Sequence, residues 1–159
     1  MYMSKAVAAK TVSSINFYKV KMVRESTTKY GDTAMRSPDE IAKLAHDVLE
    51  LHEAAEENFV VVCLNTKNKI AGIHTVSIGT LNSSLVHPRE VFKAAILNNA
   101  SGIILLHNHP SGDPEPSRED IETTQRLITA GTILGIKVVD HVVVGEYQRY
   151  ISFKEQGLL

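Results

Sequence analysis

The chain has a single cysteine, Cys63, and it sits in an apolar run. No internal disulfide can form, and a zinc site built from paired thiolates is excluded. That usage fits a reducing compartment, so a cytoplasmic location is expected. An excess of charge of one sign is also missing. Lys and Arg number 17 against 18 Asp and Glu, for a net charge of −1 and a pI of about 6.7. No global basic field advertises nucleic acid or a membrane surface, so direct DNA binding is not supported by charge. No apolar run approaches the ~20 residues of a membrane span. The N-terminus lacks the apolar core of a signal peptide. There is no internal repeat and no low-complexity segment. What remains is a chain of 159 residues, 43% hydrophobic, long enough for one domain with a sizeable core. Residues 1–13 are expected to be loosely ordered and residues 14–159 to form that domain.

Periodicity outlines an α/β layered fold around a mixed sheet. Ile15–Val23 alternates and reads as a strand, and Glu25–Met35 as a loop. Ser37-Pro38-Asp39-Glu40 opens a helix, with an N-cap serine, proline at the first helical position and glutamate three residues on. Ile41, Leu44, Ala45, Val48, Leu49, His52 and Ala55 continue it at helical spacing. Phe59–Asn65 is a continuous apolar run, as in a strand buried on both faces, and Ile70–Ile78 reads as its hairpin partner. A small-residue loop, Gly79–Ser84, precedes a helix from Pro88 to about Asn98 with Val91, Phe92, Ala95 and Ile96 inward. Gly102–Leu106 reads as a buried strand and Ser117 to about Ala130 as a helix burying Ile121, Leu127 and Ile128. Strands at Ile136–Val144 and Tyr150–Phe153 complete the pattern.

The chemistry concentrates in Leu106–Asp120, L-H-N-H-P-S-G-D-P-E-P-S-R-E-D. His107 and His109 are two apart, so on a continuing strand they project from one face. Imidazoles at the end of an otherwise apolar strand are costly unless satisfied. Asp120 follows a Pro/Gly-rich turn, at the start of the next helix. Two imidazoles and a carboxylate converging there suit an open metal site, since catalytic zinc usually has three protein ligands. Hydrolysis of an amide also needs a carboxylate to move protons, and Glu56 or Glu57 stands at the mouth of the Phe59 strand. The alternatives are structural. Ser117 serves as an N-cap with Asp120 in the first turn, the turn is merely rigid, and both glutamates are solvated at a helix end. Asp140-His141 reads as structural, because only one of two neighbouring strand residues can face the site. His74 and His87 read as satisfied surface or loop histidines, Asp113 and Glu115 as solvated, and Cys63 as core.

His107-x-His109, then Ser117 and Asp120, resembles the JAMM motif of the JAB/MPN metalloprotease domain. The wording of residues 79–95, 107–117 and 139–145, and Tyr150 to Gly157, is similar to the bacterial RadC family. The resemblance covers about residues 38 to 159. It implies a three-layer α-β-α, cytidine-deaminase-like fold with Zn2+ as cofactor. His107, His109 and Asp120 would be its ligands. Glu57 would take the place of the catalytic glutamate that deprotonates the attacking water, and Ser117 would hydrogen-bond the oxyanion. The implied activity is a zinc-dependent metallohydrolase cutting a peptide or isopeptide bond in an unidentified peptide or protein substrate. Such relatives usually carry an N-terminal helix-hairpin-helix region, for which this chain lacks the length, so a short form is expected. Deamination is not expected, for want of the P-C-x-x-C cysteines. Two other readings stay open: a non-enzymatic accessory module of DNA repair or mobile elements that keeps the metal for structure, and a 2-His-1-carboxylate iron site.

Overall fold

A computed structural model describes residues 15–31, 34–79 and 86–159. Residues 1–13 and most of the Gly79–Ser84 loop lie outside the described residues. Five strands form one mixed sheet: β1 (Asn58–Leu64), β2 (Ile70–Ile78), β3 (Gly102–Asn108), β4 (Lys137–Val144) and β5 (Tyr150–Ser152), in spatial order β2-β1-β3-β4-β5. Among the described residues only β3 and β4 pair in parallel, and α3 (Arg118–Leu134) connects them. The other ladders are antiparallel, including the expected β1–β2 hairpin.

Each face of the sheet is covered by helix, which is why β1 and β3 are buried on both sides. Phe59, Val61, Cys63, Ile103 and Leu105 pack against Val91, Phe92 and Ala95 of α2 (Pro88–Leu97) and Leu127 of α3. Val60, Val62, Leu64, Ile104, Leu106 and Val142 pack on the opposite face against Ile41 and its neighbours of α1 (Pro38–Lys43) and against Leu44 and Ala45 just beyond it. This is the expected α-β-α layering. Cys63 is core, and burial pushes its thiol up to about 11. The Ser37 capping box forms as read: the Glu40 amide donates to Ser37 Oγ at 3.3 Å and the Ser37 amide to Glu40 Oε2 at 3.2 Å.

Three expectations are corrected. Ile15–Val23 is not a strand. It is exposed throughout, with no ladder partner among the described residues, and Phe17 and Tyr18, on opposite parities, are 94% and 87% exposed. Alternation alone therefore does not bury either face. The first helix does not continue to Ala55. It passes into a π turn at Leu44–Val48, Glu50 adopts a left-handed conformation (φ 49°), and Leu51–Glu53 forms a single 3₁₀ turn. Ile96 faces solvent rather than the core. Among the individual histidines, His87 caps α2 by accepting the Arg89 amide on Nδ1, and His74 Nε2 lies 2.6 Å from Asn98 Nδ2.

The π turn buries His46 against His52 and Tyr147, with ring centroids 5.0 and 5.5 Å away. Neither His46 nitrogen makes a hydrogen bond of normal geometry among the described residues. Burial, then the charge of His52, pushes the His46 pKa down, against the opposing pull of the Arg149 carbonyl and Asp47. A lowered folded-state pKa means that the unfolded chain takes up the proton first. Stability is therefore lost as pH falls below ~6.5, the unfolded value. His46→Leu is expected to flatten that part of the stability profile, raising stability at pH 5 relative to wild type by about 1 kcal/mol. Urea denaturation at pH 5 and pH 8 checks it; equal effects at both pH values would contradict it.

Candidate metal centre

β3 is apolar until its last two residues, His107 and Asn108, and the chain then turns at His109-Pro110-Ser111-Gly112. Pairing of Phe59 with His107 places the start of β1, and Glu57 just before it, beside the histidines. The side chain of Asn108 fastens this junction: its Oδ1 accepts the Asn58 amide at 2.8 Å and its Nδ2 donates to the Glu56 carbonyl at 3.0 Å. Asn108 thus holds the segment carrying Glu57, a role that no spacing in the sequence signals.

The turn itself is pressed against the end of β4. Gly112 is left-handed (φ 81°), and a Cβ on Gly145 would stand 2.2 Å from the Gly112 carbonyl oxygen. Only glycine fits so close to a neighbouring backbone. Gly145→Ala is expected to displace the turn bearing His109, weaken any divalent-metal binding at the site at least ~10-fold and lower stability by about 2 kcal/mol. Zinc titration alongside thermal melting checks both, and wild-type affinity would contradict the expectation.

α3 begins at Ser117, whose hydroxyl accepts the Asp120 amide at 3.1 Å while Asp120 Oδ2 accepts the Ser117 amide at 2.8 Å. This capping box aims the Asp120 carboxylate back toward the strand ends. Ser117 Oγ also donates to Asp120 Oδ2 at 2.7 Å. The capping reading of Ser117 is therefore correct, and the same hydroxyl touches the site.

His107, His109 and Asp120 come together, each offering one ligand atom within 4.8 Å of the others. His107 Nε2 lies 3.3 Å from Asp120 Oδ1, His109 Nε2 lies 3.5 Å from Asp120 Oδ2, and the two Nε2 atoms are 3.0 Å apart. His109 Nδ1 lies 2.8 Å from the Asp113 carbonyl oxygen. A carbonyl can only accept, so Nδ1 carries the proton and the Nε2 of a neutral ring presents a lone pair. Imidazole lone pairs and a carboxylate aimed at one point suit a divalent cation, and the donor set of two nitrogens and an oxygen suits zinc. The site fits the metal that the motif implies.

Burial alone would raise the Asp120 carboxyl, but rings that also carry a proton on Nε2 donate to it from His107 and His109, and with the His107 charge and the Ser117 hydroxyl they hold it well below the usual carboxylate range. His109 is raised above the ordinary histidine value by Asp120, against burial, with smaller help from the Asp113 carbonyl and the charge of Glu57. Glu57 is half-buried and close enough to act on His109, whereas Glu56 is exposed.

His141 turns toward this centre and Asp140 away from it. Asp140 accepts from Ser152 Oγ at 2.7 Å and from the amides of His141 and Lys154. His141 Nε2 lies 2.8 Å from His107 Nδ1, and its ring stacks on Phe153. Complete burial, then repulsion from the His107 charge, pushes the His141 pKa well down, so it stays neutral. Asp140 thus has structural partners only among the contacts described, whereas His141 touches His107 directly.

The description RadC-like JAB domain matches residues 35–158. The UPF0758 protein of Caldanaerobacter subterraneus subsp. tengcongensis is 56% identical over 131 residues, covering 82% of this chain and 55% of that protein. A UPF0758 protein of Desulfitobacterium hafniense is 57% identical over 125 residues (79% and 54% of the two chains), and one of Moorella thermoacetica is 55% identical over 127 (80% and 54%). The chain thus spans about half the length of the curated relatives it matches. With the layered fold and the His-His-Asp grouping, these matches establish that the chain belongs to the family of RadC-like JAB domains.

Proposed function

We propose that this chain is a zinc-dependent hydrolase of the JAMM type that cleaves a peptide or isopeptide bond. The observation that carries the reading is the convergence of His107 Nε2, His109 Nε2 and the Asp120 carboxylate at the mouth of β1, beside Glu57. His107, His109 and Asp120 would hold the ion. Zinc, when bound, polarises a carbonyl and makes water acidic enough to attack near neutral pH. Glu57 then acts as general base. Its carboxylate takes the proton of the attacking water and hands it to the leaving nitrogen. Ser117 turns its hydroxyl from Asp120 Oδ2 to the oxyanion that develops on the substrate carbonyl, where one such donor is worth roughly 10²–10³ in rate. Asn108 keeps the Glu57 segment against the strand end, so the base and the ligands hold a fixed spacing.

The test uses the zinc-loaded chain on a library of peptides and of lysine-linked isopeptide conjugates. Turnover that a chelator stops, that zinc restores and that Glu57→Gln abolishes supports the proposal. Intact zinc with no turnover of any library member favours the accessory-module reading. Bound iron with oxygen consumption would overturn the hydrolase.

A further inference from the structure

We infer that His141 and Thr124 are positioning residues that hold the His107 imidazole in its Nδ1–H form and so keep its Nε2 lone pair on the metal centre. The inference rests on the metal-centre reading but needs no hydrolysis.

Four groups form a continuous hydrogen-bonded chain. Thr124 Oγ1 lies 2.7 Å from the Asp120 carbonyl oxygen and 2.6 Å from His141 Nδ1, and His141 Nε2 lies 2.8 Å from His107 Nδ1. All four residues are buried. The direction of this chain is set at its Asp120 end. A backbone carbonyl only accepts, so Thr124 spends its single proton there. The threonine oxygen can then only accept at His141, which makes His141 Nδ1 the N–H donor. A neutral imidazole has one N–H, so His141 Nε2 is bare and must accept from His107 Nδ1. With that proton on Nδ1, the Nε2 of a neutral His107 faces His109 and Asp120 as a lone pair. Reversing the chain would turn the Asp120 carbonyl and the threonine lone pairs toward each other at 2.7 Å. It would also place a proton on the His107 nitrogen that the metal needs.

The topology explains why this chain exists. Parallel pairing sets β4 beside β3, and Leu105 is the Cα partner of His141, one pleat before His107. Thr124 is one helical turn after Asp120, so its hydroxyl reaches back to the i−4 carbonyl. The chain starts on one ligand and ends on the backbone of another, and it joins β3, β4 and α3. Partners that orient a ligating histidine typically change metal affinity by 10–100-fold.

Long-range ¹H–¹⁵N NMR on the metal-free wild type at pH 8 reads the His107 tautomer directly. The expected result is the Nδ1–H form, and a predominant Nε2–H form would overturn the inference. Co2+ and Zn2+ competition titrations then compare variants. Thr124→Val is expected to weaken both metals by ~10–100-fold and to alter the visible Co2+ spectrum, while Thr124→Ser stays within about twofold of wild type. Wild-type affinity in Thr124→Val would overturn the inference, since a purely structural threonine changes stability and leaves affinity alone. Should Thr124→Val not fold, the wild-type tautomer decides.

Discussion

Asp120→Asn is expected to empty the metal centre. The amide keeps the size of the side chain and one oxygen for the Ser117 amide, so most of the α3 cap survives. The apo protein should lose only about 1 kcal/mol of stability, the usual size of a cap contribution. What disappears is the anionic carboxylate, whose Oδ1 faces His107 Nε2 and whose Oδ2 faces His109 Nε2. Loss of a ligand should exceed the effect of losing an outer partner, so zinc affinity should fall by more than ~100-fold. Hydrolysis should fall to background with it. Competition against a chromophoric chelator measures the affinity, and near-wild-type zinc binding by this variant would contradict the ligand assignment.

Glu57→Gln separates binding from proton transfer. The substitution preserves shape and leaves all three ligands untouched, but an amide cannot accept the proton of the attacking water. The expected loss is ~10²–10⁴-fold in kcat, the usual contribution of a positioned general base. KM and bound zinc should stay near wild-type values. Glu56→Gln serves as the control. The Glu56 carbonyl is held by Asn108 and its side chain is exposed, so its removal should change little. Equal losses in the two variants would count against Glu57 as the base and point to a general effect on the loop.

Much of the layered fold was legible because burial on both faces writes itself as unbroken apolar runs, as in Phe59–Leu64 and Gly102–Leu106. The hairpin partner Ile70–Ile78 and the Ser37 cap were legible for local reasons: turn chemistry and side-chain spacing. The failures have physical causes. Ile15–Val23 alternates correctly for a strand, but a strand also needs a ladder, and neighbours in space are not written in a segment's own pattern. The break after α1 carries no glycine or proline; Glu50 adopts the left-handed conformation without either signal. His52 still packs against His46 and Tyr147, which helical spacing alone cannot distinguish from a longer helix.

The site divides in the same way. His107, His109 and Asp120 lie within one short segment whose ends are a strand and a capped helix, so their convergence follows from local geometry. Glu57 could be named only through resemblance, since spacing left it equal to Glu56. Thr124 carries no signal in the sequence, and His141 reads there as structural with Asp140, for a different reason. Their importance depends on the parallel pairing of β3 with β4 and on its register, which places His141 against His107 Nδ1. Asn108 was overlooked because it lies between the two histidines and faces the opposite side of the strand, where it holds the backbone of the Glu57 segment.

Diffraction from crystals of the zinc-loaded protein, collected at the zinc absorption edge, decides whether these three side chains hold the ion. One anomalous peak per chain is expected, ~2.0–2.2 Å from His107 Nε2, His109 Nε2 and an Asp120 carboxylate oxygen. A peak bound elsewhere, or no peak between these three side chains after zinc loading, would contradict it.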